Sequence, residues 1–266
     1  MDYLKMPPAQ GLEKEIEAYC FFRFNEKSVI SDLYFPNGKP SMVFHLGDPF
    51  EYFSLNSNWE IMPRMSLISC AMAPVALNSG RNVDTVAILF NPHTIYNLFK
   101  LGLDARYNLI DIEPYIHADL FLHLKGTNCF EQRTALLNTY FAEQLKGYNP
   151  EKDLFGKICN YIFENKGNVE RYRIAEIFDI SENYIHKLFM QRIGVSFKPY
   201  SQIIRISNIL KEITCLNRAD WMEILEKYGY YDQAHFIKDF KKIVKQTPQQ
   251  YLHLDKSFSA IFSAIA

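Results

Sequence analysis

The sequence predicts an α+β chain in two parts: a small β-barrel or sandwich with a helical pair attached, then an all-helical segment. Three observations lead there. Across residues 28–112, short β-branched and aromatic runs alternate with turn signals. From Pro114 onward, apolar residues recur at helical rather than strand spacing. Near the end, two helix-turn-helix patterns (169–193 and 220–244) start about fifty residues apart, joined by one amphipathic stretch.

The strand runs are VISDLYF, SMVFHLG, FEYFSL and DTVAILF. Asn37-Gly38, Gly47-Asp48-Pro49, Ser79-Gly80 and Asn91-Pro92 break them. At HTIYNLFKLG the pattern turns helical, with Gly102 expected as its C-cap. Between Pro114 and Lys146 the apolar set includes Leu120, Leu124, Leu137 and Phe141, and Gly126-Thr127-Asn128 divides it into two helices. GYNPEK (147–152) is the polar, turn-rich linker, giving expected domains of 1–147 and 148–266. Leu154, Ile158 and Ile162 then stripe a helix at i, i+4, i+8. The stretch 197–213, about 25 Å long at 1.5 Å per residue, is expected to be a rod between the two units.

Bulk properties narrow the class. A chain of 266 residues, 48% hydrophobic, can bury proper cores. No apolar run reaches the roughly 18 residues that span a bilayer, and the first residues lack a secretory apolar core. Five cysteines, none in a CxxC pair, fit reduced thiols in a cytoplasm rather than a disulfide frame or zinc site. The net charge of −1 conceals a split: residues 1–150 hold 12 Lys+Arg against 16 Asp+Glu, and the remainder 17 against 14. That basic excess is small for a nucleic-acid binder, so local placement of charge must decide.

Placement favours DNA. With Ser181 as N-cap, Ile185, Leu188 and Phe189 fall on one helical face; Asn183, His186, Lys187 and Met190 fall on the other. Asn can bond an adenine edge in two places, Lys can reach guanine, and His can contact a base or phosphate. With Asp232 as the second N-cap, Phe236, Phe240, Ile243 and Val244 form the buried stripe. Ala234, His235, Lys238, Lys241, Lys242 and Lys245 oppose them. Gln233 falls towards the buried edge. Four lysines on one face supply sequence-independent phosphate attraction. An ordinary solvated helix face would carry similar residues; the pairing of two such units argues for recognition. Two reading helices on one rigid body can enter successive major-groove windows, roughly 34 Å apart.

The segment GYYDQAHFIKDFKKIVKQTPQQYL closely resembles the signature of the AraC/XylS family of bacterial transcription regulators. SENYIHKLFMQRIGVSFKPYSQIIRI is similar to that family's first recognition helix and the element after it. The resemblance covers about 100 residues, 154–254, and implies two helix-turn-helix subdomains on a central helix. It implies base-reading positions at Asn183, His186 and Lys187, then Gln233, Ala234, His235 and Lys238; Lys242 is left to phosphate contact. Three residues depart from the pattern. Lys245 stands where the family usually has Gly, at a site expected to need positive φ. Leu225 replaces a small Ala, and Glu212 an apolar residue. More loosely, the N-terminal half resembles the sensor portion of such regulators, which implies a cupin-like β-barrel with a helical pair for ligand sensing or dimerisation.

No catalytic constellation, metal site or cofactor is expected. His45, His93, His117 and His123 lack H-x-H spacing, and no G-x-S-x-G, phosphate loop or HExxH occurs. Tyr34, Phe35, Phe44, Tyr52, Phe53 and Trp59 could line an apolar pocket or be plain core. The tail places Phe258, Ile261, Phe262 and Ile265 on one helical face. The expected function is therefore a cytoplasmic activator of transcription. Its expected partners are double-stranded DNA, RNA polymerase, a small-molecule effector and a second copy of itself, with no membrane. The competing reading is a ligand-binding or structural β-protein whose helical half has lost sequence-specific recognition.

Overall fold

A computed structural model describes residues 2–25, 29–53, 58–70, 72–103, 109–216 and 221–253, with the side chains of 214–216 excepted. The expected features of Cys215 and of the tail lie outside the described residues.

Strands come first, as predicted, but they begin earlier. β1 (Asp2–Met6) and β2 (Ile16–Asn25) precede β3 (Ser31–Tyr34), β4 (Ser41–His45), β5 (Glu51–Phe53) and β6 (Trp59–Ile61). β7 (Met65–Ile68), β8 (Val75–Asn78), β9 (Asn82–Phe90) and β10 (Leu109–Asp111) complete the set. The expected barrel is not closed. One sheet runs β1-β2-β9-β4-β7-β10 and a second runs β3-β8-β5-β6, with no ladder joining them among the described residues. Strands of three or four residues make the second sheet too small to wrap around the first.

The large sheet is therefore the middle of three layers. Along β2, Ala18, Cys20 and Phe22 point to the small sheet, where Phe50, Met62 and Leu77 meet them. Tyr19 and Phe21 point the other way, into a core shared with the helices. Both faces of β2 are buried, so it shows no polar alternation for a sequence reading to find.

α1 (Thr94–Phe99) ends not at Gly102 but at Lys100, which takes φ 55 and donates its N–H to Tyr96 O over 2.8 Å. Gly102 is needed for a different reason: a Cβ there would sit 2.5 Å from Gln191 O. α2 (Ala118–Gly126) and α3 (Phe130–Gln144) form the expected helical pair, divided where predicted. Arg133 of α3, fully buried, grips Asp84 of β9 through two N–H···O bonds of 2.6 and 2.7 Å.

The residues 147–152 contain a short 3-10 turn, after which Asp153 caps α4 (Leu154–Glu164) by accepting from the N–H groups of Phe155 and Gly156. α5 (Arg171–Phe178), α6 (Glu182–Arg192), α7 (Phe197–Leu216), α8 (Trp221–Lys227), α9 (Gln233–Val244) and α10 (Pro248–Leu252) follow. None of the described helices is long and apolar enough to cross a membrane.

The apolar core runs on across the linker. Phe21, Phe44 and Ile88 of the large sheet share one cluster with Phe155, Ile158, Phe189 and Tyr200 of the helices. The β3–β4 loop reinforces this joint. Phe35 meets Tyr251 of α10 edge to face at 5.3 Å, Gly38 O accepts from Tyr200 Oη of α7 at 3.1 Å, and the Lys39 ammonium lies over the Phe163 ring of α4.

Candidate nucleic-acid interface

Both helix-turn-helix units are built on their predicted caps. Ser181 Oγ accepts from the N–H of Tyr184 at 3.2 Å, and Asp232 Oδ1 accepts from that of His235 at 2.7 Å. Each cap satisfies an orphan donor of the first turn. Between α5 and α6 the chain turns through Asp179 at φ 51; Gly229 at φ 66 does the same after α8.

Each recognition helix buries the stripe the sequence assigned to it. Phe189 is the hub of the first unit, meeting Phe155, Phe197 and Tyr200 at ring-centroid distances of 5.2, 5.6 and 5.4 Å. In the second unit Phe236 meets Trp221, Tyr230 and Phe240 at 5.6, 5.3 and 5.5 Å. With the apolar sides anchored, the polar sides face outward. Asn183, His186, Lys187 and Met190 are exposed on α6; Gln233, Ala234, His235, Lys238, Lys241 and Lys242 are exposed on α9, as is Lys245 just beyond it. The helical angle of Gln233 directs it towards the buried edge, but, lying in the first turn, it clears the core and is open to solvent.

The rod α7 is 20 residues, about 30 Å, and passes beneath both units. Between them lies a groove of about 530 Å³. His186 from α6 and His235 from α9 line it, while Asn183, Lys187, Gln233, Ala234, Lys238 and Lys242 stand outside its lining. The groove also gathers residues to which sequence reasoning gave no site role: Arg171, Lys198, Gln202, Arg205 and Asp239. Arg171 pairs with Glu182 at 2.5 Å, joining the first turns of α5 and α6. Arg205 donates to Asn168 Oδ1 at 2.9 Å and lies over the Tyr230 ring at 5.3 Å, so it ties the two units together. The approach of Asn168 also explains Gly229, whose Cβ would fall 2.4 Å from Asn168 Nδ2. Two members carried a visible signal: Asp239 by its i,i+4 spacing from His235, and Arg205 by closing the element after the first recognition helix.

The three departures resolve in place. Lys245 does adopt φ 62, closing α9 by donating its N–H to Lys241 O. Leu225 is buried in the second unit's core. Burial alone would raise the Glu212 carboxyl, but hydrogen bonds from Lys227 Nζ (2.7 Å) and Tyr228 Oη (2.8 Å) hold it below its usual value.

Residues 174–253 match the family described as a helix-turn-helix domain, of AraC type. The chain carries an AraC-type helix-turn-helix domain. Residues 4–108 match a separate family, a domain of unknown function designated DUF6597. A segment of 99 residues is 26% identical to the uncharacterized HTH-type transcriptional regulator YpdC of Escherichia coli (strain K12), covering 37% of this chain and 34% of that protein. A segment of 100 residues is 27% identical to an uncharacterized HTH-type transcriptional regulator of Staphylococcus aureus, covering 37% of this chain and 13% of that one. The alignments thus span about a third or less of these relatives. In three dimensions the chain is similar to ToxT from Vibrio cholerae, with a TM-score of 0.50, 15% identity, and coverage of 88% of this chain and 97% of that one. The likeness covers the whole fold: β-rich sheets of cupin-like kind, followed by the helical domain.

The aromatic residues considered for a sensor pocket scatter across the fold. Tyr34 and Tyr52 edge narrow spaces between the sheets, the larger about 20 Å³, room for roughly one water. Phe44 lies in the helix-side core and Phe35 in the second unit's core; Phe53 and Trp59 are on the surface. Alternation along each strand separates neighbours that look adjacent in sequence.

Proposed function

We propose that this chain is a sequence-specific DNA-binding transcription regulator whose α6 and α9 read adjacent major-groove segments. One observation carries the reading: two recognition helices, anchored by buried aromatic hubs, present exposed polar and cationic faces on either side of a single groove. In this reading residues 148–266 read DNA. Residues 1–147 sense a small molecule or pair with a second copy, and the open groove of about 690 Å³ along α2 and α3 supports the pairing. Cytoplasmic location, activation through RNA polymerase and the lack of an enzymatic role belong to the same proposal.

Duplex binding by the full-length chain tests it. Selection from a random duplex library should enrich one bipartite sequence, and log affinity for it should fall steeply with log salt. Equal affinity for every duplex would defeat the reading. Asn183→Ala or His186→Ala should relax preference at one base pair, at a cost of about 1–3 kcal/mol. Lys241→Ala should weaken all sequences alike and lower the salt slope by about 1.

A further inference from the structure

Asp239 occupies an unusual position for an acid. It lies on the recognition helix α9 and lines the groove between the two units, yet it is only 6% exposed. Its carboxylate accepts from Gln202 Nε2 through both oxygens, at 3.2 and 3.1 Å. Gln202 is fixed from its other end as well, since its Oε1 accepts from Lys242 Nζ at 3.2 Å. Gln202 is a neutral amide, so it satisfies the acceptors without cancelling the charge. The ionisable partner is His235, whose Nε2 lies 3.6 Å from Asp239 Oδ2. That separation is electrostatic contact rather than a hydrogen bond. The imidazole is held on a second side by the Tyr230 ring, at a centroid distance of 5.3 Å.

A neutral imidazole has one N–H donor and one bare acceptor, and its surroundings select which nitrogen is which. An ionised carboxylate only accepts. Facing Nε2, it favours the tautomer with the proton there and Nδ1 as the acceptor. We propose that Asp239 is a specificity-determining positioning residue that sets the His235 tautomer, and through it the base edge that His235 reads. This rests on the DNA-binding reading above and deepens it. In the major groove an acceptor pairs with the amino groups of adenine N6 or cytosine N4, and is refused by the acceptor edges of guanine O6/N7 and thymine O4. His235 therefore selects adenine or cytosine on the strand it contacts.

Asp239→Asn inverts the logic with almost no change of shape. One side-chain oxygen still accepts from Gln202, while the new NH₂ turns to His235 Nε2, making that nitrogen the acceptor and Nδ1 the donor. The experiment is duplex selection with the full-length chain, comparing wild type, Asp239→Asn, Asp239→Glu and His235→Ala. The expected result in Asp239→Asn is a gain of about tenfold for guanine or thymine relative to cytosine at one base pair, since cytosine alone presents no major-groove acceptor to an N–H. Asp239→Glu, still an acceptor, keeps the wild-type preference. His235→Ala abolishes preference at that same base pair, and adding Asp239→Asn to it changes nothing further. The proposal is overturned if Asp239→Asn gains neither guanine nor thymine at that base pair, or if it weakens every sequence equally, as a purely structural role would. If Asp239→Asn fails to fold, loss of the adenine or cytosine preference in Asp239→Glu overturns it instead. A wild-type chain that enriches no sequence overturns the DNA-binding reading as well, which separates the two failures.

Discussion

At the residue scale, three residues hold conformations or charge states that the fold imposes on them. Lys245 sits in the left-handed region, which costs an L-residue with a Cβ about 1 kcal/mol. Lys245→Gly should raise stability by several tenths of a kcal/mol or more, read as a higher denaturant midpoint at unchanged slope. A lower midpoint would mean that the lysine makes a compensating contact. His45 lies 1% exposed between the sheets, and burial pulls its imidazole down to about 4. Unfolded, the ring titrates near 6.5, so between those values the unfolded chain holds the extra proton. The contribution of a neutral His45 is complete above about pH 6.5 and is lost as pH falls towards 4, roughly 2 kcal/mol by pH 5. Glu15 opposes it: burial raises that carboxyl to about 7, so its cost relaxes as pH falls. The measurement is therefore a difference. His45→Leu should lose less stability than wild type between pH 7 and pH 5; parallel melting curves would refute the assignment.

Among the elements, close approaches to α7 set the tolerances. Gly167, at φ 75, would put a Cβ 2.4 Å from Ser201 O and 2.6 Å from Arg205 N, both backbone atoms of a helix that cannot yield. Gly38, at φ 74, would put one 2.2 Å from Ile204 Cδ1, the far end of a side chain that can rotate. Gly167→Ala should therefore cost more than Gly38→Ala, about 3 kcal/mol or above against about 1–2. Equal melting temperatures for the two variants would show that the rod shifts to accommodate both. The same contrast explains what could be read from the sequence. Helices with one wet side, such as α6 and α9, announced their caps, stripes and exposed faces in their periodicity. β2 did not, because a strand buried on both faces has no polar beat. The 530 Å³ groove did not either, because Arg171, Gln202, Arg205 and Asp239 come together through helix crossings rather than along one face. The Asp239–Gln202 contact joins residues 37 apart.

For the whole molecule, the sequence was right about order and composition of parts and less informative about their union. A polar, turn-rich hexapeptide at 147–152 marks a change of pattern, but apolar contacts ignore it: Phe21 and Ile88 lie in one cluster with Phe189 and Ile204. Arg133 and Asp84 add a buried ionic tie within the N-terminal half. Arg133→Met removes the charge and leaves Asp84 beside Arg23 at 3.4 Å, whereas Asp84→Asn strands a buried guanidinium. Asp84→Asn should be the worse of the two, by about 1 kcal/mol or more, in chemical denaturation. The reverse order would mean that Arg23 does not take up the carboxylate.

The shared core also bears on how the chain is made. As the polypeptide leaves the ribosome, the large sheet's inner face emerges well before α7, whose Tyr200 and Ile204 help to cover it. At about 5–20 residues per second, the stretch from 147 to 204 keeps that face open for roughly 3–11 s. Nascent chains arrested with α7 still inside the exit tunnel should accordingly be cut readily by protease and held by chaperones. Arrest with α10 fully emerged should abolish both, and protection of the shorter chains would show that the β-rich half closes without its helical cover.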